Sequence, residues 1–519
     1  MKIRTIGCLI LISLSWSVMA EKPPYEGWTL FNRGGSTRPK LIDINGSTVN
    51  TWQCAEPTVT PVYLLPDSTL LRPSEVAGTP MNGAAEFGRI QRITWGGTVL
   101  WDYEYYGQNY QPHHDICPMP NGNVLVICWE RKTQAEAQAM GRQSISGEMW
   151  PEKIVEVEPV GATEGNIVWE WHSWDHLIQD VDPLKPNYGV VAEHPELLDI
   201  NYGTLPPGNG DWIHANFVDY NEALDQIVFS SHTISELYII DHSTTTSEAA
   251  SHTGGNSGMG GDFLYRWGNP RVYNRGDSSD QHFYVIHGVN WIDPGLPGEG
   301  NILAFNNGDR TGTSNDYSIV EEIVPPLNGY NYYIAPDSAF GPAEPVWIYS
   351  DPGTFYSQHL AGAQRLPNGN TLIVEATDNG KLWEVTSSGA IDWSYSIGGQ
   401  TTNAFRYGWD YFSVEEGEKL KVKSVKLEVY PNPFTQRTTI NYQLPSETTV
   451  SLKIYDITGR IVKTLVNGEK KAGSYSVNFD ANYLTTGIYF VKLVAGAPPR
   501  RDSCYAPNYR ETKKLIIVR

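Results

Sequence analysis

Charged side chains are scarce in this sequence. Asp, Glu, Lys and Arg make up 18% of its 519 residues, against roughly 25% in ordinary soluble domains. Basic residues are scarcer still, 38 against 58 acidic ones, which leaves a formal charge of −20. Nucleic acid and anionic membrane surfaces both need a basic face, so no nucleic-acid partner is expected. Cysteine is rare as well. Five residues are too few to build a disulfide-held fold, and the absence of any C-x-x-C pair removes the usual cysteine metal site. Cys117 and Cys128 flank the turn Pro120-Asn121-Gly122-Asn123. A bridge between them is left open, although a simple hairpin centred on that turn would not set them opposite one another. Beyond the first twenty residues there is no apolar run of the ~18 needed for a membrane-crossing helix.

Aromatics and chain breakers are abundant. Aromatic residues reach 12%, with 17 Trp and 30 Tyr, alongside 49 Gly and 34 Pro. Hydrophobic residues at 40% allow a large core. Together these point to an all-β chain with many turns. The first twenty residues read as a secretory leader: Lys2 and Arg4, an apolar stretch from Ile6 to Leu14, then small residues ending at Ala20.

From residue 27 to about 415 three strand patterns recur. A polar turn leads into an apolar strand in LLPDSTLLR (64–72), PNGNVLVIC (120–128), LDQIVFSS (224–231), GEGNILAF (298–305) and PNGNTLIVE (367–375). A turn precedes a Trp- or Tyr-rich strand in GGTVLWDYEY (96–105), EGNIVWEWHSW (164–174), GGDFLYRWG (260–268) and SSGAIDWSYS (387–396). A third strand type is seen in LIDING (41–46), KIVEVEP (153–159), ELYIIDH (236–242) and LWEVTSSG (382–389). Strand, turn, strand repeated in this order predicts a β-propeller, most simply of six blades. A pair of β-sandwiches would not repeat it. Long insertions fall near 131–150 and 175–211, and QAEAQAMGRQ predicts a short helix in the first.

Four histidines stand a few residues ahead of apolar strands: His114, His214, His287 and His359. Equivalent strand starts of a propeller converge on its axis, so these imidazoles are expected at one place. Arg310 follows the third unit in NNGDRTG. Imidazoles with a guanidinium suit a sulfate or phosphate group.

Residues 27–413 resemble the bacterial aryl-sulfate sulfotransferase family. The likeness is carried by GWTLFNRGGSTRPKLIDINGSTVNTW, HHDICPMPNGNVLV, DWIHANFVDYNEALDQIVFSSHTISELYIID, FYVIHGVNWIDPGLPGEGNILAFNNGDR and AGAQRLPNGNTLIVE. It implies a six-bladed propeller over 21–413 that moves a sulfuryl group from a phenolic sulfate ester to a phenol. A transiently sulfated histidine does the transfer, with no cofactor and no metal. By this resemblance His214 matches the family's H-x-N-x-V-D-Y motif, His287 the histidine before W-I-x-x-G-L-P-G-x-G-N-I-L, and Arg310 the N-G-x-R loop. The nucleophile departs from the pattern: Asn379 stands where the family has histidine, and asparagine cannot carry a sulfuryl group. His359, one strand earlier on the same blade, is then the candidate nucleophile, provided it faces the channel, with His114 and Asn379 as binding residues.

A charged linker at 414–426 separates this region from a tail of short alternating runs divided by PNPF, PSET, ITGR and LTTG turns, which predicts a small β-sandwich over 427–519. YPNPF, YDITGRIV, LTTGIYFVKL and the final KLIIVR resemble the type A C-terminal sorting domain of the type IX secretion system. That implies the type IX machinery as partner, and export through the periplasm to secretion or the cell surface. The segment GAPPRRDSCYAPNYRET (496–512) is expected to loop out before the last strand.

Three functions compete on the sequence alone. The first is an aryl-sulfate sulfotransferase. The second is an inactive surface propeller that binds an anionic or aromatic ligand, which Asn379 favours. The third is a quinone-cofactor dehydrogenase propeller, which the irregular loops and the histidine set fit poorly.

Overall fold

The repeated turns fold as their side chains dictate. In the two P-N-G-N turns, Asn121 and Asn368 accept hydrogen bonds at Oδ1 from the backbone N–H of Asn123 and Asn370, at 2.9 and 3.0 Å. Gly122 and Gly369 take φ of 90° and 92°, which glycine adopts without a Cβ clash. Each turn launches a buried strand. In the computed structural model, residues 23–518 are described apart from 59, 206–208, 309, 312–315, 410, 413–426, 445–447, 458–459, 472, 483 and 496–508. The expected leader and linker lie outside the described residues.

The fold is all-β. The chain divides into two compact units: one takes in the chain up to Tyr63 together with Leu70–Arg406, the other Leu64–Thr69 and Tyr407–Arg519. Among the described residues, six four-stranded sheets occupy the region before the linker. The first joins Ala404–Tyr407 to Trp28–Phe31, Lys40–Ile42 and Thr48–Thr51, so its strands come from both ends of the region. The second runs through Tyr63–Leu64, Leu70–Ser74, Arg89–Ile93 and Val99–Glu104. The third holds Tyr110–Pro118, Val124–Glu130, Glu152–Val160 and Glu164–His172. The fourth holds Ala215–Asn221, Gln226–Ser231, Glu236–Asp241 and Tyr265–Trp267. Ile286–Trp291, Ile302–Asn306, Ile319–Ile323 and Trp347–Tyr349 make the fifth. Ala363–Arg365, Thr371–Glu375, Lys381–Val385 and Ile391–Ser396 make the sixth.

Second strands such as Gln226–Ser231, Ile302–Asn306 and Thr371–Glu375 are buried at every position. That burial explains why they read as unbroken apolar runs rather than alternating ones. The tryptophans of the outer strands tie neighbouring sheets together. Trp52 Nε1 donates to the carbonyl of Thr94, Trp101 to that of Glu164, Trp171 to that of Gly261, Trp347 to that of Ser387, and Trp393 to that of Ile44, at 2.6 to 3.0 Å. The last of these returns from the sixth sheet to the first. Buried ion pairs do the same work. Arg365 of the sixth sheet meets Glu322 of the fifth at 2.6 Å, and Arg406 of the first meets Glu384 of the sixth.

The short helix expected in QAEAQAMGRQ forms at Gln134–Ala139. Thr133 and Glu136 cap its start reciprocally. The Cys117–Cys128 bridge does not form: both thiols are free and buried. The hairpin register pairs Cys117 with Leu125 and Cys128 with Pro112, so neither faces the other.

In the C-terminal unit a three-stranded sheet (Leu427–Tyr430, Arg437–Leu444, Gly473–Asp480) and a four-stranded one (Ile461–Lys470, Thr448–Tyr455, Gly487–Ala495, Tyr509–Ile517) share one apolar core. Ile440, Leu452, Phe479, Val491 and Leu515 are fully buried in it. The last strand starts at Tyr509, inside the segment expected to loop out. Cys504 lies outside the described residues.

Candidate functional site

One structural device is used three times. The first strands of the third, fourth and fifth sheets lose their pairing register beside a histidine: between Pro112 and Ile116, which takes in His113 and His114, between Ala215 and Phe217, just after His214, and between His287 and Asn290. Bulges of this kind re-aim side chains beside functional sites. His114 and His214 also adopt left-handed backbone, at φ 59° and 54°, a cost that is retained only where the surroundings enforce it.

These histidines meet in a cavity of about 730 Å³, large enough for an aromatic sulfate ester. His114, His214, His232, His287 and His359 all line it, with Arg33, Asp378 and Gln400. Ring centroids of His114 and His214 are 4.4 Å apart, those of His214 and His232 4.7 Å, and those of His232 and His287 5.3 Å.

Burial and neighbouring charges act differently on the rings. Burial works against charge on His214, but Asp211 Oδ2 lies 2.5 Å from its Nδ1 and raises its pKa. Asp211 is fixed by Trp129 Nε1, which donates to Oδ1 at 3.0 Å. Burial, then the charge on His214, pushes His232 down to about 3 and His114 well below its ordinary value. His287 is likewise held neutral by burial and by His232. Its tautomer is set by Asn307. The Asn307 amide donates to the carbonyls of Ser357 and Leu360, so its Oδ1 accepts from His287 Nδ1–H at 2.7 Å. The remaining nitrogen of His287 is thereby a lone-pair base. Behind His114, His113 links its Nδ1 at 2.8 Å to Glu152 beyond, also at 2.8 Å.

His359 lies in the loop before Ala363–Arg365. It is exposed to the cavity, and its ring nitrogens have no hydrogen-bond partner among the described residues. The next two residues, Leu360 and Ala361, both have positive φ.

Two expected residues fall elsewhere. Arg310 is not among the lining residues. Its Nη1 donates to the carbonyls of Gly308 and Tyr317, at 3.1 and 3.3 Å, and the guanidinium packs over the rings of Tyr284 and Tyr317. Arg33 supplies the guanidinium at the cavity instead. Asn379 does not line the cavity either. Its carbonyl caps a turn by accepting from Gly398 N–H at 3.2 Å, while its neighbour Asp378 reaches the cavity.

Sequence reasoning missed Arg33, His232, Asp211 and the pair His113–Glu152. Asp211 stands three residues before His214, which was the available signal. His232 follows its apolar strand rather than preceding it, and Arg33 looks like one more turn residue in FNRGG.

Two family matches cover most of the chain. Residues 40–429 match the Arylsulfotransferase (ASST) family, and 428–498 match the Secretion system C-terminal sorting domain. The chain belongs to the arylsulfotransferase family. Its tail is a type IX sorting domain, which marks the protein for export and then secretion or attachment at the cell surface. No curated protein matches the chain. Among solved structures, a Bacteroides caccae protein of unknown function is 11% identical, with a TM-score of 0.39 over 73% of this chain and 98% of that one. The periplasmic gluconolactonase of Pseudomonas aeruginosa is 10% identical, with a TM-score of 0.36 over 87% and 99%. The Dos1 propeller is 6% identical, with a TM-score of 0.28 over 88% and 93%. Likenesses this distant carry no argument.

Proposed function

We propose that the six sheets close into a six-bladed propeller over residues 21–413, that 427–519 form a small sandwich, and that the histidine cavity transfers sulfuryl groups between phenols. The carrying observation is the cavity itself: five imidazoles and Arg33 gathered in a chain of net charge −20.

Transfer proceeds in two displacements. Arg33 and protonated His214 bind the sulfate oxygens of a phenolic ester. A ring nitrogen of His359 attacks sulfur through its lone pair. The N–S bond forms as the S–O bond to the ring breaks, and the leaving phenolate takes a proton from water, to which His287 returns the acceptor's proton at the end of the cycle. An acceptor phenol then loses its proton to a neutral imidazole, with His287 the best placed, and takes the sulfuryl group from His359. Charge in the loose transition state sits on the sulfuryl oxygens, where fixed cations lower the barrier. Splitting the reaction through an imidazole replaces one hard step by two easier ones.

Asn379 and the withdrawn Arg310 favour a second reading, an inactive propeller that binds aryl sulfates without turnover. Purified full chain with a chromogenic aryl sulfate and a phenol separates the two. Transfer that disappears in His359→Ala and survives in Asn379→Ala supports the enzyme. An inert wild type that gains activity in Asn379→His supports the binding protein.

A further inference from the structure

Outside the cavity, His176, His252 and Asp262 offer ligand atoms within 4.8 Å of one another. Among the described residues no other trio of His, Cys, Asp or Glu has this spacing. His176 follows the last strand of the third sheet, and Asp262 precedes the last strand of the fourth. His252 lies just after the short helix Thr246–Ala249. His176 is buried and Asp262 nearly so, whereas 60% of the His252 side chain is exposed.

Donor and acceptor accounting makes the trio unusual. His176 Nε2 lies 2.8 Å from the Ala249 carbonyl, which can only accept, so this nitrogen carries the proton. His176 Nδ1 lies 2.7 Å from Asp262 Oδ1, and His252 Nδ1 approaches the same oxygen at 2.7 Å, so two imidazole nitrogens converge on one carboxylate oxygen. A ring nitrogen tied to a backbone carbonyl is the usual support of a metal-ligating histidine.

The site is also rigidly built. Trp171 stacks parallel to His176, with an interplanar angle of 4°, and its Nε1 donates to the Gly261 carbonyl at 2.7 Å. Gly261 has to be glycine, since a Cβ there would stand 2.0 Å from the Ala249 carbonyl oxygen and 2.6 Å from His176 Nε2.

We propose that His176, His252 and Asp262 bind a divalent transition-metal ion of the zinc class, through two imidazole nitrogens and one carboxylate. Zn–N and Zn–O distances of about 2.0–2.1 Å set tetrahedral ligand atoms roughly 3.3 Å apart. Both contacts to Asp262 Oδ1 are 2.7 Å, so the carboxylate has to rotate away from His176 and the exposed His252 ring has to swing outward to give that spacing, and a water completes the shell on the open side. None of the three residues lines the cavity, so the ion clamps the loops of the third and fourth sheets together and takes no part in sulfuryl transfer.

Calorimetric titration of the full chain with Zn²⁺, with Co²⁺ absorption as a second readout, tests this. The cavity histidines are a competing site, so His252→Ala, Asp262→Asn and the cavity variant His232→Ala are compared. Wild type and His232→Ala are expected to bind one tight equivalent and to unfold at higher temperature with zinc. His252→Ala and Asp262→Asn are expected to lose that equivalent, with affinity lower by about 100-fold or more. Because His252 is exposed, its metal-free variant should unfold at the wild-type temperature, which separates lost binding from lost fold. Two results overturn the proposal. One is unchanged tight binding in His252→Ala. The other is a wild type that binds no tight equivalent of zinc.

Discussion

His214 Nδ1 lies 2.5 Å from Asp211 Oδ2, and this contact decides how charge is distributed in the cavity. It favours the charged form of one imidazole against burial, and charge on that ring pushes His114, His232 and His287 towards their neutral forms. An anion site and a set of neutral bases thus coexist among adjacent rings.

Asp211→Asn should therefore act through His214. The asparagine can still accept from Trp129, but His214 loses the charge that favours its protonated form. At neutral pH the KM for an aryl sulfate should rise about 10-fold or more, the cost of losing one hydrogen bond to a charged group. In the wild type KM should climb as pH rises through the raised His214 pKa. In the variant the same climb should begin at lower pH. A KM that does not depend on pH in either protein would contradict the assignment.

Gly399→Ala tests Arg33 without touching it. A Cβ at 399 would lie 2.7 Å from Arg33 Nε, so the flexible guanidinium must move off the cavity. The variant should reproduce much of the KM increase of Arg33→Ala, roughly 5- to 10-fold for one displaced charged donor. Its thermal midpoint should stay within about 2 °C of wild type, as for a change under 1 kcal/mol.

His242 is a stability element away from the cavity. It lies 2.7 Å from Asp225 and 3.0 Å from Glu156, and although burial opposes its charge these carboxylates raise its pKa to about 9. With the folded value above the ordinary ~6.5, its stabilisation is complete below that pH and is lost as pH rises through about 9. His242→Gln should lower the unfolding temperature by about 2–5 °C at pH 6. Melting curves of variant and wild type should converge above pH 9. A gap that is the same at pH 6 and pH 10 would rule out the ion-pair account.

Much of the architecture was legible because it repeats. Strand pattern and P-N-G-N turns mark the sheets, and a histidine ahead of an apolar strand marks four of the five cavity imidazoles. Contacts between residues far apart in the chain were not legible. Arg33 reaches the cavity because Gly399, far along the chain, leaves room for it, and no local pattern in FNRGG signals that. Arg310 sits in the motif expected for it, yet Tyr284 and Tyr317 hold its guanidinium elsewhere. The tryptophans were visible as a strand signature, whereas their role as donors from sheet to sheet depends on three-dimensional neighbours. Cys117 and Cys128 were undecided until the hairpin register was known.

The central claim is that His359 carries the sulfuryl group. The full chain should be mixed with aryl sulfate labelled at sulfur, in the absence of acceptor, and quenched at alkaline pH, where a sulfated imidazole survives. Peptide mapping by mass spectrometry then locates the label. The account predicts labelled His359 in wild type, no labelled peptide in His359→Ala, and discharge of the label when a phenol is added before the quench. Label on His287, His214 or any other residue, or full transfer activity in His359→Ala, would contradict it.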